Sequence, residues 1–212
     1  GTVTRMGAPA TEFPNAMAIS AGRDTNRATQ AATILGRELR AVGINQDFAP
    51  DSDVNSNPVN PVIGVRSFSG RPGLASDFVT AEVKGFEKSV AATAKHFPGH
   101  GAAPTDSHTG LPRIDSTEAQ WRATDVPPFK AAIAAGVDSI MSAHIQFPSL
   151  DPSLEPATLS KPIITDRLRN ELGYNGVVIT DALEMEGVRK LHSDAEIPVL
   201  ALKAGVTGPR IR

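Results

Sequence analysis

The densest run of chemically capable side chains is Lys95-His96-Phe97-Pro98-Gly99-His100-Gly101, followed closely by Asp106-Ser107-His108. An aspartate two residues from a histidine can bond one imidazole nitrogen and fix the tautomer, which leaves the other nitrogen free for general acid–base work near neutral pH. The same aspartate can equally cap a turn, and the residues alone leave both readings open. His96 and His100 have the i,i+4 spacing of a helical zinc pair, but Pro98, Gly99 and Gly101 argue against a helix there. A metal-dependent hydrolase using His96, His100, Asp106 and His108 stays as a rival.

Two further residues stand out. Asp181 directly follows the apolar run Val177-Val178-Ile179-Thr180 and precedes Ala182-Leu183-Glu184-Met185. A carboxylate that ends a buried parallel strand can act as nucleophile, base or metal ligand, and it can also be a plain N-cap for a following helix. Arg66 lies in the stretch from Asn57 to Phe68. Its fork of donors can clamp hydroxyls or a carboxylate, although a lone loop arginine often makes only a surface ion pair. His192, in a polar stretch, is expected to be merely solvated.

These residues need a scaffold, and the pattern supplies one. Short β-branched runs alternate with longer helical patterns, as in βαβ units around a parallel sheet. Apolar residues recurring at three and four predict a helix over Asn26 to Val42, stopped by Gly43. Further helices are expected at Ser76 to Lys88, Pro127 to Ala135, Ile163 to Leu172 and Ala195 to Ala204. Strands are expected at Ile44 to Ala49, Val90 to Lys95, Asp138 to Ala143 and Gly176 to Thr180, with long polar loops from Pro50 to Pro72 and from His96 to Ile114. Four of the five histidines (His96, His100, His108, His144) fall at or just beyond strand ends, where (β/α) barrels assemble their active sites.

Composition narrows the function classes. The 212 residues carry 21 Lys plus Arg against 23 Asp plus Glu, so a near-neutral chain with scattered cations has no electrostatic footprint for nucleic acid or an anionic membrane. Zero cysteines exclude a disulfide scaffold, a Cys-ligated metal and a cysteine nucleophile. No apolar run approaches the roughly 20 residues of a membrane span. The opening Gly1-Thr2-Val3-Thr4-Arg5 lacks a signal peptide's apolar core and an initiator methionine, and reads like the interior of a longer sequence.

Taken together, the chain resembles glycoside hydrolase family 3, in particular its β-N-acetylglucosaminidase branch. The matching segments are Asp47-Phe48-Ala49-Pro50 through Asp53-Val54-Asn55, Asn60 through Arg66-Ser67-Phe68, Ala94 through Gly101, Asp106-Ser107-His108 and Gly176 through Met185. The resemblance implies a retaining double displacement on terminal β-linked N-acetylglucosamine, with no metal or organic cofactor. It implies that Asp181 is the nucleophile, that His108 oriented by Asp106 is the acid/base, and that Lys95, His96 and Arg66 contact sugar hydroxyls. A non-catalytic family member that retains the motifs is the other rival.

The resemblance also implies a single (β/α)8 TIM-barrel-type domain over residues 1–212. The domain is expected to be incomplete, with four strands ending near Ala49, Lys95, Ala143 and Thr180 where a closed barrel has eight. Gly1 takes the place of the last glycine in the family's Asp-x-Glu-Gly-Gly segment, and after Gly205 a glycine-rich tail is expected where the family has another strand.

Overall fold

The computed structural model describes residues 6–210, so the expectation placed on Gly1 lies outside the described residues. Four parallel strands, β1 (Thr93–Phe97), β2 (Ser139–Ser142), β3 (Val177–Ala182) and β4 (Gly208–Arg210), form a sheet in the order β1-β2-β3-β4. Each neighbouring pair follows the previous one in sequence, which is the strand order of a (β/α) barrel rather than the reversing order of a doubly wound sheet.

The helical stops and starts follow local chemistry. Helix α1 (Ala16–Ala21) is capped by Asn15, and α2 (Thr25–Ala41) by Asp24, whose carboxylate accepts from the N–H groups of Asn26 and Arg27. The end of α2 needs a left-handed residue, which Gly43 supplies with φ +87°. Helix α3 (Pro72–Phe86) begins four residues before the apolar periodicity shows it, because Pro72 presets the first helical position. Helices α4 (Glu118–Thr124) and α5 (Val126–Ala134) adjoin at Asp125, and a reciprocal cap between Thr117 and Gln120 opens α4. The expected helix over Ile163 to Leu172 is a wider π-type turn, Pro162–Glu171. Two helices lie between β3 and β4, the four-residue α6 (Glu186–Arg189) and α7 (Glu196–Ala204). The short α1, α4 and α6 have too few turns to show a helical period.

Two expectations need correction. Ile44 to Ala49 does not form a full strand. It runs parallel to β1 through single bridges, Gln46 opposite Ala91 and Asp51 opposite Lys95, because Pro50 lacks the N–H that a ladder requires. Conversely, the tail after Gly205 is structured: Thr207 N–H donates to Val178 O (2.7 Å), and Gly208–Arg210 extends the sheet as an edge strand, the position where Pro209 is tolerated.

Strands β1 and β2 are buried on both faces, as parallel sheets usually are, whereas β3 alternates between buried and partly exposed residues and starts on the exposed Val177. Beneath the C-terminal end of β1, the Phe97 ring meets Phe129 edge-on at 5.2 Å and Trp121 at 6.4 Å. The Trp121 indole N–H donates to Pro98 O (2.9 Å). Each such buried ring contributes roughly 1.5–3 kcal/mol, so the turn after β1 stands on a rigid aromatic floor. No described helix is long and apolar enough to cross a membrane.

Candidate active site

The strand ends bring together residues distant in sequence. Lys95 and His96 close β1, His144 lies two residues past β2, Asp181 sits near the end of β3, and Asp51 and Asp53 follow the bridged segment beside β1. All occupy the C-terminal rim, where this class of sheet places its chemistry. The stretch expected as the start of a long polar loop is in fact buried: Asp51, Ser52, Asp53 and Val54 are each at most 9% exposed. Their polar side chains face the rim from within, which the sequence pattern could not show.

Asp53 is the hub of the rim. Its carboxylate accepts from His96 Nδ1 (2.7 Å), from the His96 main-chain N–H (3.3 Å) and from the His100 N–H (2.6 Å). With Nδ1–H committed to Asp53, the His96 Nε2 lone pair points to Arg66 Nη2 (3.5 Å) and stands 3.9 Å from an Asp181 carboxylate oxygen. Arg66, in a short 3-10 turn (Gly64–Arg66), also pairs with Asp51 at 3.1 Å.

Burial and charge set the ionisation. Burial, reinforced by the Asp53 charge, pushes Asp51 up to about 6, against the pull of Arg66. Burial lowers both the Lys95 ammonium and the His96 imidazole. Burial also acts to raise Asp181, but His96, His144, the Ala182 N–H and the Lys95 ammonium outweigh it and hold that carboxyl below its usual range. The two shifts converge on one state at neutral pH: ionised Asp181 beside neutral His96. Asp181 does not cap a helix, since α6 opens five residues later at Glu186, with Met185 at the N-cap position.

The Asp106–His108 pair lies on the loop beyond β1. Asp106 Oδ1 accepts from His108 Nδ1 (2.7 Å) and from the His108 N–H (2.9 Å), so the aspartate both shapes the turn and orients the ring. The His108 side chain is 58% exposed, which leaves Nε2 available to a ligand. The metal-site set of His96, His100, Asp106 and His108 is not assembled. Among the described residues the one group with ligand atoms within 4.8 Å of one another is Asp51, Asp53 and His96, and these are already engaged by Arg66 and by main-chain N–H groups. His192 is not simply solvated, because its Nε2 lies 2.8 Å from Glu155 Oε2.

Asp53 and Asp125 were given no role from the sequence, whereas His100 and His144 were singled out only as strand-end histidines, His100 also in the rival metal set. The signal for Asp53 was its place just past a strand end. Asp125 had no such signal. It is 4% exposed under Gly99, whose φ of +131° and missing Cβ leave room for the carboxyl. Burial and then the Asp53 charge push Asp125 up to about 8, so it is a neutral acid at pH 7. Its ordinary value is 3.8, so the native state binds an extra proton between about pH 4 and 8, and stability from this group is lost as pH rises through that window. Asp125→Asn mimics the neutral form, and its melting temperature should fall less steeply than that of the parent between pH 5 and pH 9. Parallel profiles would refute the assignment.

The model of the glycosyl hydrolase family 3 N-terminal domain matches residues 1–207. The chain belongs to glycosyl hydrolase family 3. Its sequentially ordered parallel sheet is accordingly part of the TIM-barrel-type fold of that family. A β-hexosaminidase A of Pseudoalteromonas piscicida is 46% identical over 191 residues, covering 84% of this chain and 32% of that protein. A β-hexosaminidase of Idiomarina loihiensis is 40% identical over 173 residues, covering 81% of this chain and 51% of its own length. Among solved structures, a family 3 β-N-acetylglucosaminidase from Paenibacillus sp. str. FPU-7 superposes with a TM-score of 0.95 at 46% identity, over 99% of this chain and 41% of that one. The family 3 chain thus spans between a third and about half of these relatives.

Proposed function

We propose that this family 3 chain carries the catalytic rim of a retaining β-N-acetylglucosaminidase acting on terminal β-linked N-acetylglucosamine. One observation carries the reading: an ionised, largely buried carboxylate, Asp181, stands at the strand-end rim 3.9 Å from His96, with an oriented Asp–His pair on the loop beyond β1. The activities named for the relatives point to the same substrate class.

In the first step an Asp181 oxygen attacks the anomeric carbon as the glycosidic bond breaks. The leaving oxygen takes the proton from protonated His108 Nε2, while Asp106 holds Nδ1. In the second step neutral His108 removes a proton from water, whose oxygen attacks the same carbon and releases Asp181. Lys95, Arg66 and the Nε2 lone pair of His96 offer two donors and one acceptor to the sugar hydroxyls. Asp53 holds His96 in place and Asp51 holds Arg66. No step needs a metal or organic cofactor.

Proton NMR of the intact protein turning over a β-N-acetylglucosaminide tests the proposal. The β-anomer should appear first and then mutarotate. An α-anomer as first product would overturn the double displacement.

A further inference from the structure

The loop that carries His108 has a single buried foothold. Of residues 104–110, only Ser107 is buried, while its neighbours Asp106 and His108 reach toward solvent. Two bonds from different parts of the chain hold it. His100, 3% exposed, places Nε2 3.0 Å from the Ser107 hydroxyl, and the Gly187 main-chain N–H donates to the Ser107 carbonyl (3.1 Å).

Each partner leads back to the rim. The His100 main chain is fixed by Asp53, the carboxylate that also orients His96. Gly187 lies in α6, six residues after Asp181 on the continuation of β3. Its approach is close enough that a Cβ there would stand 2.8 Å from His144 Cβ and 3.1 Å from Ser107 O. His144 in turn bonds the Ala182 carbonyl through Nε2 (2.9 Å), and the Ala182 N–H bonds Asp181 (2.7 Å). A continuous set of contacts therefore joins Asp181, Ala182, His144, Gly187 and Ser107 to His108.

We propose that Ser107 is a positioning residue that sets where His108 stands relative to Asp181, through its hydroxyl on His100 and its carbonyl on Gly187. This inference rests on the acid/base reading of His108. Loss of the Ser107 hydroxyl removes one of two ties, so His108 samples more positions and protonates the leaving oxygen less often. Attack by Asp181 is untouched. The deficit therefore depends on how much the leaving group needs a proton.

The test is kcat/KM of the intact protein on aryl β-N-acetylglucosaminides, from 2,4-dinitrophenyl, which departs unprotonated, to phenyl, which requires protonation. General acid catalysis is worth about 10²- to 10⁴-fold. His108→Ala should therefore slow the phenyl substrate by about 10²-fold or more, with a far smaller loss on the dinitrophenyl substrate. Ser107→Ala should steepen the leaving-group dependence in the same sense, losing about tenfold on phenyl and about twofold or less on dinitrophenyl, on the same principle. Ser107→Thr, which keeps the hydroxyl, should restore the shallower slope. Ser107→Cys, a weak donor of similar size, replaces the alanine variant if that one does not fold.

An unchanged slope in Ser107→Ala, or a loss equal on every leaving group, would overturn the positioning role. If His108→Ala steepens the dependence and Ser107→Ala does not, only this inference fails. If His108→Ala leaves the slope unaltered, the acid/base reading falls and takes the inference with it.

Discussion

Asp181→Ala is expected to abolish release of p-nitrophenol from its β-N-acetylglucosaminide, lowering kcat by about 10⁴-fold or more, the scale seen when a catalytic nucleophile is removed. The size of the effect follows from what Asp181 supplies. Its low carboxyl range keeps it anionic at working pH, and its place near the end of β3 fixes its approach. Neither His96, neutral and bonded to Asp53, nor Asp51, paired with Arg66, can replace it. Azide entering the space left by the carboxylate should restore part of the turnover. It should give the α-glycosyl azide, because one displacement inverts the anomeric centre where two retain it. Undiminished hydrolysis in the variant would remove Asp181 from the mechanism.

Gly101→Ala should be the most damaging small substitution for stability. A Cβ there would lie 1.8 Å from the Val54 carbonyl oxygen and 2.4 Å from its carbon, and main chain cannot swing aside as a side chain can. The two loops are also bonded at this point. Asn60 Nδ2 donates to the carbonyls of His100 (2.9 Å) and Gly101 (3.2 Å), and Asn57 N–H donates to Gly101 O (3.3 Å). Separating them breaks these bonds and uncovers Asp53. A loss of about 3–5 kcal/mol belongs to the upper tail for single substitutions. It corresponds to a fall of about 10 °C in melting temperature for a chain of this length. A variant melting within about 2 °C of the parent would show that the loops are not interlocked here, since that shift is worth under about 1 kcal/mol.

The alternation of strands and helices was legible because buried strands and amphipathic helices leave distinct periods. Lys95, His96, Asp106, His108 and Asp181 were legible because a dense, unusual motif and a strand-end carboxylate survive without knowledge of the third dimension. Asp53 and Asp51 were not, because Pro-Asp-Ser-Asp reads as solvated loop; only the packing of two loops around Gly101 buries it. Asp125 was hidden for a related reason. It joins two helices as an ordinary helix-boundary aspartate would, and its unusual environment comes from Gly99, 26 residues earlier. Strand β4 was missed because three residues containing glycine and proline carry no strand signal; a neighbouring edge recruited them. Short helices and tertiary burial are thus the two things one-dimensional periodicity does not encode.

Asp53 serves as a shared reference point. It holds His96, which faces Asp181, and the His100 turn, which holds Ser107 and through it the loop of His108. A fluctuation that displaces this carboxylate carries both arms with it. Positional errors at His96 and at His108 are then correlated rather than independent, and much of each cancels in the distance between them. Tolerance of a single-anchor arrangement to drift is greater than that of two groups mounted separately, so the rim can stay in register while the loops around it move.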